Sequence, residues 1–309
     1  MFARMSRRDY EDFVFLEIDA VRRQVKHLYE IRLDDLLLAA ASAPLVVKPV
    51  HYILHTAYCC STLLARYLDL IPYCFVLKEP QLLAQFALCS DRSSTRWNEG
   101  FELCVRLLSR TPDACEVPVI KTNVPCNVLG ERLLKDNRQA TITFLMMPLR
   151  HFLLAVLKSG LRRLRVRYWV GKLIDDPLLD PQFGNIRTSD LTDVEAAICF
   201  WLANRSLCSR LSFGADRSRI LALDGEQVAD CPREVLPPIM SMCGLPVDKD
   251  RLEWLLDHPS ARCHAKHPLR LYDASVRRQE IASCEARWGG EADTGIEWAE
   301  SLGMLAGMS

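Results

Sequence analysis

The chain has 309 residues, of which 50% are hydrophobic, so it is long enough to bury a sizeable core as one large domain or two smaller ones. Lysine plus arginine and aspartate plus glutamate number 39 each, which excludes a chain-wide charge that would attract nucleic acid or a membrane surface. An anion-binding site must therefore be local.

The N-terminus and the cysteines predict a cytoplasmic protein. The first residues, MFARMSRRDYEDF, lack the apolar segment of a secretory signal, and the longest apolar stretch, 36–47, is too short to span a bilayer. The thirteen cysteines include no C-x-x-C pair, so they fit neither a disulfide framework nor a zinc site. We expect free thiols in a reducing compartment, no membrane span and no metal.

Residues 8–43 carry apolar side chains at helical spacing and show no strand signal. We predict two or three helices there, closed by Pro44, and interpret residues 1–48 as an N-terminal helical extension. Residues 49–309 are predicted to form a single domain that ends in further helices.

From residue 51 onward, predicted strands alternate with predicted helices. The strands are predicted at 51–55, 74–77, 117–121, 140–146 and 219–223, and the helices between them at 61–71, 81–89, 97–110, 126–136 and 149–158. This order predicts an α/β fold, with a parallel sheet in the middle of three layers and helices on both faces. Ligands of such sheets bind at the carboxyl ends of the strands.

Residues 161–190 are less regular and are predicted to form a loop or lid. They contain a basic run, Arg162, Arg163, Arg165 and Arg167. Such a run is typical of a solvated face, and it could instead steer an anionic substrate over a pocket. Residues 192–211 predict an amphipathic helix, and the tail from Pro232 is predicted to be helical, with breaks at 244–246 and around 264–268.

The segment 51–80 is the most informative one. Its first predicted strand breaks at residues 56–60, and Ser61 and Thr62 then begin a helix. A loop that leads into a helix presents free backbone N–H groups and the positive end of the helix dipole, which favours a phosphate or sulfate. The chain has no G-x-x-x-x-G-K-[ST] sequence, so an ordinary nucleotide-triphosphatase loop is disfavoured.

Five further segments follow that loop in a fixed order. They are Lys78-Glu79-Pro80, KTNVP at 121–125, TFLMMPLRHFLLAVLK at 143–158, the block 220–245, and His264-Ala265-Lys266. Together with residues 56–64, they resemble the motif series of the bacterial sulfotransferase-like family. The match extends over residues 50–270, and the resemblance implies the P-loop-like fold of sulfotransferases that use 3′-phosphoadenosine-5′-phosphosulfate (PAPS).

The chain departs from the family's pattern at five positions. Tyr58 replaces the loop's Lys or Arg, and Cys60 replaces its Gly. Asn123 stands in place of the His that is the base in the cytosolic branch. Met147 and Ala155 stand where the family places the Arg and Ser that bind the 3′-phosphate. A lost charged hydrogen bond costs about 1.5–3 kcal/mol, so these changes weaken the expected donor site.

The resemblance implies PAPS as the donor, no metal, and a hydroxyl or amine of a small molecule or glycan as the acceptor. The residues that it places at the donor are Tyr58, Cys59, Cys60, Ser61, Thr62, Arg150, Lys158 and Lys266. It also assigns Glu79 as the base, with Lys78 or Lys121 as the cation that Tyr58 cannot supply. The oligomeric state is left open.

Two other functions stay open at this point. One is a catalytically inactive nucleotide-binding or interaction module of the same fold. The other is a P-loop-like phosphoryl-transfer enzyme, which the missing Lys and Mg²⁺ signature disfavours.

Several residues also have simpler interpretations. Glu79 and Lys121 could be strand-end charges, with the carboxylate stabilised by a helix dipole. Cys59 and Cys60 could form a reactive thiolate at a helix N-terminus, but small residues that fill a tight loop are the simpler account. The histidines lack metal-ligand spacing and are predicted to be structural.

Overall fold

The computed structural model describes residues 2–42, 48–174, 186–214, 216–259, 263–264, 267–271 and 274–305. Its N-terminal segment contains helices α1 (Arg7–Asp12), α2 (Ile18–Gln24) and α3 (Leu33–Ser42), together with an antiparallel pair of strands, β1 (Phe2–Ala3) and β2 (Leu28–Tyr29). The prediction of helices alone is wrong for this pair, because two-residue strands are too short to leave a periodic pattern.

The N-terminal segment packs against the rest of the chain. The Leu16 N–H donates to the carbonyl oxygen of Lys78 over 2.7 Å, and the Arg7 side chain forms an ion pair with the buried Glu116. Pro44, the predicted end of the extension, lies outside the described residues. The predicted division at residue 48 therefore stays a prediction.

A five-stranded parallel sheet lies at the centre of the described chain. Its strands are β3 (His51–His55), β4 (Cys74–Lys78), β5 (Val117–Lys121), β6 (Thr141–Met146) and β7 (Ile220–Asp224), in the spatial order β4-β5-β3-β6-β7. All four neighbouring pairs are parallel. The predicted α/β fold is thus confirmed, and each predicted strand lies within one residue of its observed bounds.

Helices follow the strands through the rest of the chain. They are α4 (Ser61–Asp69), α5 (Gln81–Ala87), α6 (Thr95–Leu108), α7 (Gly130–Asp136), α8 (Leu149–Leu157), α9 (Gly160–Ile174), α10 (Asp193–Phe213), α11 (Gln227–Asp230), α12 (Pro232–Met242), α13 (Lys249–Asp257) and α14 (Ala274–Ser301). Short 3₁₀ turns at Val124–Leu129 and Arg217–Arg219 precede α7 and β7. A second antiparallel pair, β8 (Cys263–His264) and β9 (His267–Leu271), lies before α14.

The strand order places helices on both faces of the sheet. After β3 the chain moves past the position of β5 to form β4 at one edge of the sheet. After β5 it moves in the opposite direction, past β3, to form β6. Because such crossovers are right-handed, α4 and α7 cover opposite faces. All five residues of β3 are buried, as expected of a central strand covered on both sides. The order of the strands reverses at β3, which is where α/β sheets bind ligands.

The prediction of a loop or lid over 161–190 is wrong as far as Ile174, because these residues belong to α9. Val166, Val170 and Leu173 are buried at intervals of four and three residues, which is helical spacing. Trp169 stacks on Phe200 of α10 at a centroid distance of 5.6 Å. These contacts fix α9 beside the sheet, while residues 175–185 lie outside the described chain.

Candidate functional site

The loop between β3 and α4 has a strained backbone. Ala57, Tyr58 and Cys60 have φ angles of 68°, 57° and 59°, in the left-handed region that non-glycine residues seldom occupy. Glu79 is the other described non-glycine residue with a positive φ, at 55°. Such strain persists only where the surrounding structure imposes it, and it concentrates at functional sites. All four residues line one cavity.

The loop presents backbone donors that have no partner. Within the described residues, the N–H groups of Tyr58, Cys59 and Cys60 meet no hydrogen-bond acceptor. Cys60 is the N-cap of α4 and makes no side-chain capping bond. The Ser61 and Thr62 side chains line the cavity beside these donors. Successive free N–H groups at the positive end of a helix form an anion-binding concavity.

Two neighbours hold the loop in this shape. The buried His55 ring accepts from the Ala57 N–H over 3.1 Å, and its Nε2 lies 2.9 Å from the Thr122 carbonyl oxygen. Gly225, just after β7, lies directly against the loop, because a Cβ there would lie only 2.3 Å from the Cys59 carbonyl oxygen. Only glycine fits this approach, so the last strand of the sheet helps to set the position of the loop.

A polar cluster lies at the carboxyl ends of β4 and β5. Lys121, whose side chain is 1% exposed, forms an ion pair with Glu79. The Asn123 amide donates to the same carboxylate over 3.4 Å, and the Phe15 ring lies 5.1 Å from the Lys121 ammonium. The ion pair fixes the Glu79 carboxylate at the edge of the cavity, where it can accept a proton from a group bound there.

Lys78 lies elsewhere, although it directly precedes Glu79. Its ammonium pairs with Asp69 over 2.8 Å and donates to the carbonyl oxygens of Tyr10 and Glu11. Its side chain does not line the cavity. Of the two predicted cations, the structure therefore brings only Lys121 to the base.

The cavity at this edge of the sheet has a volume of about 640 Å³. The loop forms its floor, and Glu79, Lys121 and Asn123 form one side. Phe15, Glu17 and Asp19 of the N-terminal segment also line it, which the sequence interpretation did not anticipate. The size suits a ligand in the range of a nucleotide or a drug-sized molecule.

The opposite side of the cavity is basic. Lys158, Arg162, Arg165 and Arg277 all line it. Lys158 lies 3.5 Å from Glu280, whereas Arg162 and Arg165 have no carboxylate partner among the described residues. Arg163 and Arg167, which pair with carboxylates, do not line the cavity, and the steering of an anion stays a prediction for Arg162 and Arg165.

A second polar cluster lies at the ends of β6 and β7. His151 of α8 has its Nδ1 2.6 Å from a carboxylate oxygen of Glu226, and the other oxygen of Glu226 accepts from Arg277 over 2.5 Å. Arg277 also pairs with Asp230 over 2.6 Å. His151 and Arg277 line the cavity, and neither was among the predicted site residues. We name these residues the β6–β7 cluster and Glu79, Lys121 and Asn123 the β4–β5 cluster.

The loop cysteines are not activated nucleophiles. Burial raises the pKa of the Cys60 thiol to about 12, and it also raises the pKa of the Cys59 thiol. Thiols need a lowered pKa to react as thiolates near neutral pH. The structure thus favours the simpler interpretation, in which two small side chains fill a tight loop.

The cavity offers donors for an anionic group at the loop and fewer donors for a 3′-phosphate near α8. The loop N–H groups and the nearby guanidinium groups suit a phosphate or sulfate at the floor. Met147 and Ala155, which line the wall of α8, offer no side-chain donor where the family resemblance expects one. A 3′-phosphate would need other partners in this chain.

Two predicted donor-binding residues are not placed at the cavity. Arg150 lies outside its lining and forms ion pairs with Glu285 and Asp293 of α14, so its predicted role is not favoured by the geometry. Lys266 lies outside the described residues, and its role stays a prediction.

The described residues were also compared with the requirements of a metal site and of a membrane-spanning helix. In those ranges, no three His, Cys, Asp or Glu side chains converge as ligands for a metal ion. None of the helices in the same ranges combines the length and apolar character needed to cross a bilayer.

No protein-family model matches the chain, and no curated protein matches it. Among solved structures, it is similar to the sulfotransferase domain from the curacin biosynthetic pathway, with a TM-score of 0.45 and 13% identity over 79% of this chain and 92% of that domain.

The sulfotransferase domain from the Synechococcus PCC 7002 olefin synthase is also similar. Its TM-score is 0.38, with 17% identity over 79% of this chain and 95% of that domain. At these identities the similarity specifies neither a donor nor an acceptor.

Proposed function

We propose that the protein is a cytoplasmic sulfotransferase, which transfers a sulfuryl group from PAPS to a hydroxyl or amine of a small molecule or glycan. The observation that carries this proposal is the strained loop 56–60, whose free N–H groups lie in the same cavity as the Glu79–Lys121 ion pair. An anion site beside a carboxylate is what group transfer from an anionic donor to a protonated acceptor requires.

Each part of the site has a step to perform. The N–H groups of Tyr58–Cys60 hold the phosphosulfate in line with the acceptor. As the acceptor oxygen or nitrogen bonds to sulfur, the bond from sulfur to the bridging phosphate oxygen breaks, and Glu79 takes the acceptor's proton. Lys121 orients the Glu79 carboxylate through their ion pair. The products are the sulfated acceptor and adenosine 3′,5′-bisphosphate.

A ligand screen by thermal shift tests the proposal. Adenosine 3′,5′-bisphosphate and PAPS should each raise the melting temperature, because a ligand that binds only the folded state adds stability by mass action. ATP with Mg²⁺ should raise it less. A larger shift with ATP and Mg²⁺ would contradict sulfuryl transfer and favour phosphoryl transfer, and no shift with any nucleotide would contradict a nucleotide site.

Glu79→Gln separates binding from chemistry. The amide still accepts a hydrogen bond from Lys121 but cannot take a proton, so turnover of PAPS should fall by about 100-fold or more while binding of the bisphosphate is retained. Water serves as the acceptor in this assay, and release of the bisphosphate is measured. The matched control is Glu17→Gln, because that carboxylate also lines the cavity but lies in the N-terminal segment. Equal loss in both variants would contradict the role of Glu79.

A binding module without activity is the second candidate, and one observation favours it. Met147 and Ala155 leave the α8 wall without donors, so a bound nucleotide has fewer contacts than in an active family member. This candidate predicts a thermal shift with adenosine 3′,5′-bisphosphate and no release of bisphosphate from PAPS by the wild-type protein.

A further inference from the structure

The loop 56–60, to which the proposed function assigns an anion, has no cation of its own. Its residues, Thr56 to Cys60, include no lysine or arginine. Backbone N–H groups carry only partial charge, whereas a phosphate or sulfate carries at least one full negative charge. A site of this kind gains most from one guanidinium or ammonium group placed nearby. The cation must therefore come from another part of the chain.

Arg162 of α9 lies directly over the loop's central residue. Its guanidinium carbon is 4.5 Å from the centroid of the Tyr58 ring, and both side chains line the cavity. One of its nitrogens, Nη1, donates to the Ala155 carbonyl oxygen over 2.7 Å. That bond anchors the guanidinium, which has further N–H donors for a ligand.

The neighbouring arginines differ from Arg162 in their partners. Arg163 pairs with Glu291 over 3.2 Å, and Arg167 pairs with Asp193 over 3.4 Å and donates to backbone oxygens. Positions 163 and 167 share one face of the helix, while 162 and 165 share the face at the cavity. Within the described residues, the cavity-facing pair is thus the one without carboxylates.

Tyr58 acts as a neutral support and not as a counter-ion. Burial raises the pKa of its phenol, so the ring remains uncharged at neutral pH. Its hydroxyl is buried and makes no hydrogen bond within the described residues, and its ring packs against Phe152 at 6.3 Å. A cation over an aromatic face is held only weakly by the ring, which leaves its charge available for an anion.

We infer that Arg162 supplies the cation for the anion bound by the loop 56–60, with Tyr58 as its platform and Arg165 beside it. A positive charge from α9 thereby replaces the basic residue that the loop lacks. The inference extends the proposed function, but it requires only an anion in the cavity and not a particular nucleotide.

Calorimetric titration with inorganic pyrophosphate, in a buffer free of sulfate and phosphate, tests this role. Arg162→Gln should bind pyrophosphate about 10- to 100-fold more weakly than the wild type, the range expected for one charged hydrogen-bonding group. Arg162→Lys should recover part of that loss, because it keeps the charge. Lys172→Gln is the matched control, since it removes an exposed charge from the same helix outside the cavity lining.

Three results would overturn the inference. They are wild-type affinity for pyrophosphate in Arg162→Gln, equal losses in Arg162→Gln and Lys172→Gln, and no binding of pyrophosphate by the wild type. Thermal melts of each variant check that the fold is retained. Competition with adenosine 3′,5′-bisphosphate in the wild type examines the proposed function separately. If pyrophosphate binding depends on Arg162 but the bisphosphate does not compete, the anion site stands and the nucleotide proposal fails.

Discussion

The two polar clusters at the cavity are built in different ways. In the β4–β5 cluster, Glu79 and Lys121 lie at the ends of adjacent strands, and Asn123 follows two residues later. In the β6–β7 cluster, Glu226 follows β7, but its partners His151 and Arg277 come from α8 and α14. The first cluster is a direct product of strand register, whereas the second exists only after a distant helix has docked.

This difference has consequences for stability. The parallel register aligns Lys78 with Lys121, so Glu79 and Lys121 are neighbours as soon as β4 and β5 pair. Arg277 instead joins α14 to the sheet edge through Glu226 and Asp230. Damage to the first cluster should therefore affect the core of the fold, and damage to the second should mainly release α14.

The largest effect is expected from Lys121→Met. This variant removes a buried cation and leaves the mostly buried Glu79 carboxylate without its counter-ion. Breaking one partner of a buried ion pair costs about 3–5 kcal/mol, so the free energy of unfolding in urea should fall by that amount. The double variant with Glu79→Gln should recover much of the loss. If the double variant is as unstable as the single one, the ion pair is not the cause.

Arg277→Gln should have a smaller effect. Glu226 loses its guanidinium partner but keeps the hydrogen bond to His151, so the expected loss is about 2–3 kcal/mol. Hydrogen exchange of α14 should increase more than that of the sheet. Arg278→Gln, an exposed neighbour on the same helix, is the control. Similar exchange in the two variants would show that Arg277 does not anchor α14.

His51 lies in the sheet outside both clusters and provides a pH test of the core. His51, at the opposite end of β3 from the cavity, lies between the hydroxyls of Thr141 and Thr143, and burial lowers its pKa to about 3. Between that value and the unfolded pKa of about 6.5, the unfolded state binds the additional proton, so stability falls as the pH falls.

The wild type should accordingly lose about 2 kcal/mol more than His51→Gln between about pH 7.5 and about pH 5. Urea unfolding at the two pH values measures this difference. Parallel pH profiles of the two proteins would show that His51 does not carry the acid sensitivity of the core.

The smallest effect concerns the loop that separates the two clusters. Cys60 has a φ of 59°, where glycine is free of strain, so Cys60→Gly should raise the free energy of unfolding by up to about 1 kcal/mol. Cys59→Gly, at a fully buried position with no positive φ, should lower it instead. Thermal melts of the two variants decide the matter, and a lower melting temperature for Cys60→Gly would contradict strain at this residue.

The sequence alone was enough to predict the sheet and about half of the residues at the candidate site. Apolar runs bounded by turn residues locate all five parallel strands and the loop after β3, and the short family-like motifs led to Glu79 and Lys121 as candidates. These features depend on residues within a few positions of each other. Local patterns are therefore sufficient to reveal them.

The other half depends on contacts that are distant in the sequence. Lys78 and Arg150 are basic residues in the expected places, but Asp69 and the acids of α14 direct their side chains away from the cavity. Arg277 has no local signal at all. The placement of Arg162 on a helix could have been predicted, because Val166 and Val170 have helical spacing. That helix, α9, brings Arg162 to Tyr58.

The contact between Gly225 and Cys59 has a consequence for the order in which parts of the protein fold during synthesis. The loop is synthesised early, directly after β3, but the surface against which it packs is made much later, at the end of β7. A nascent chain that ends at β6 contains every residue of the loop but lacks Gly225, against which the loop packs. Because pairing of distant segments is a late and slow event in folding, we expect anion binding to be acquired only when the edge strand β7 joins the sheet.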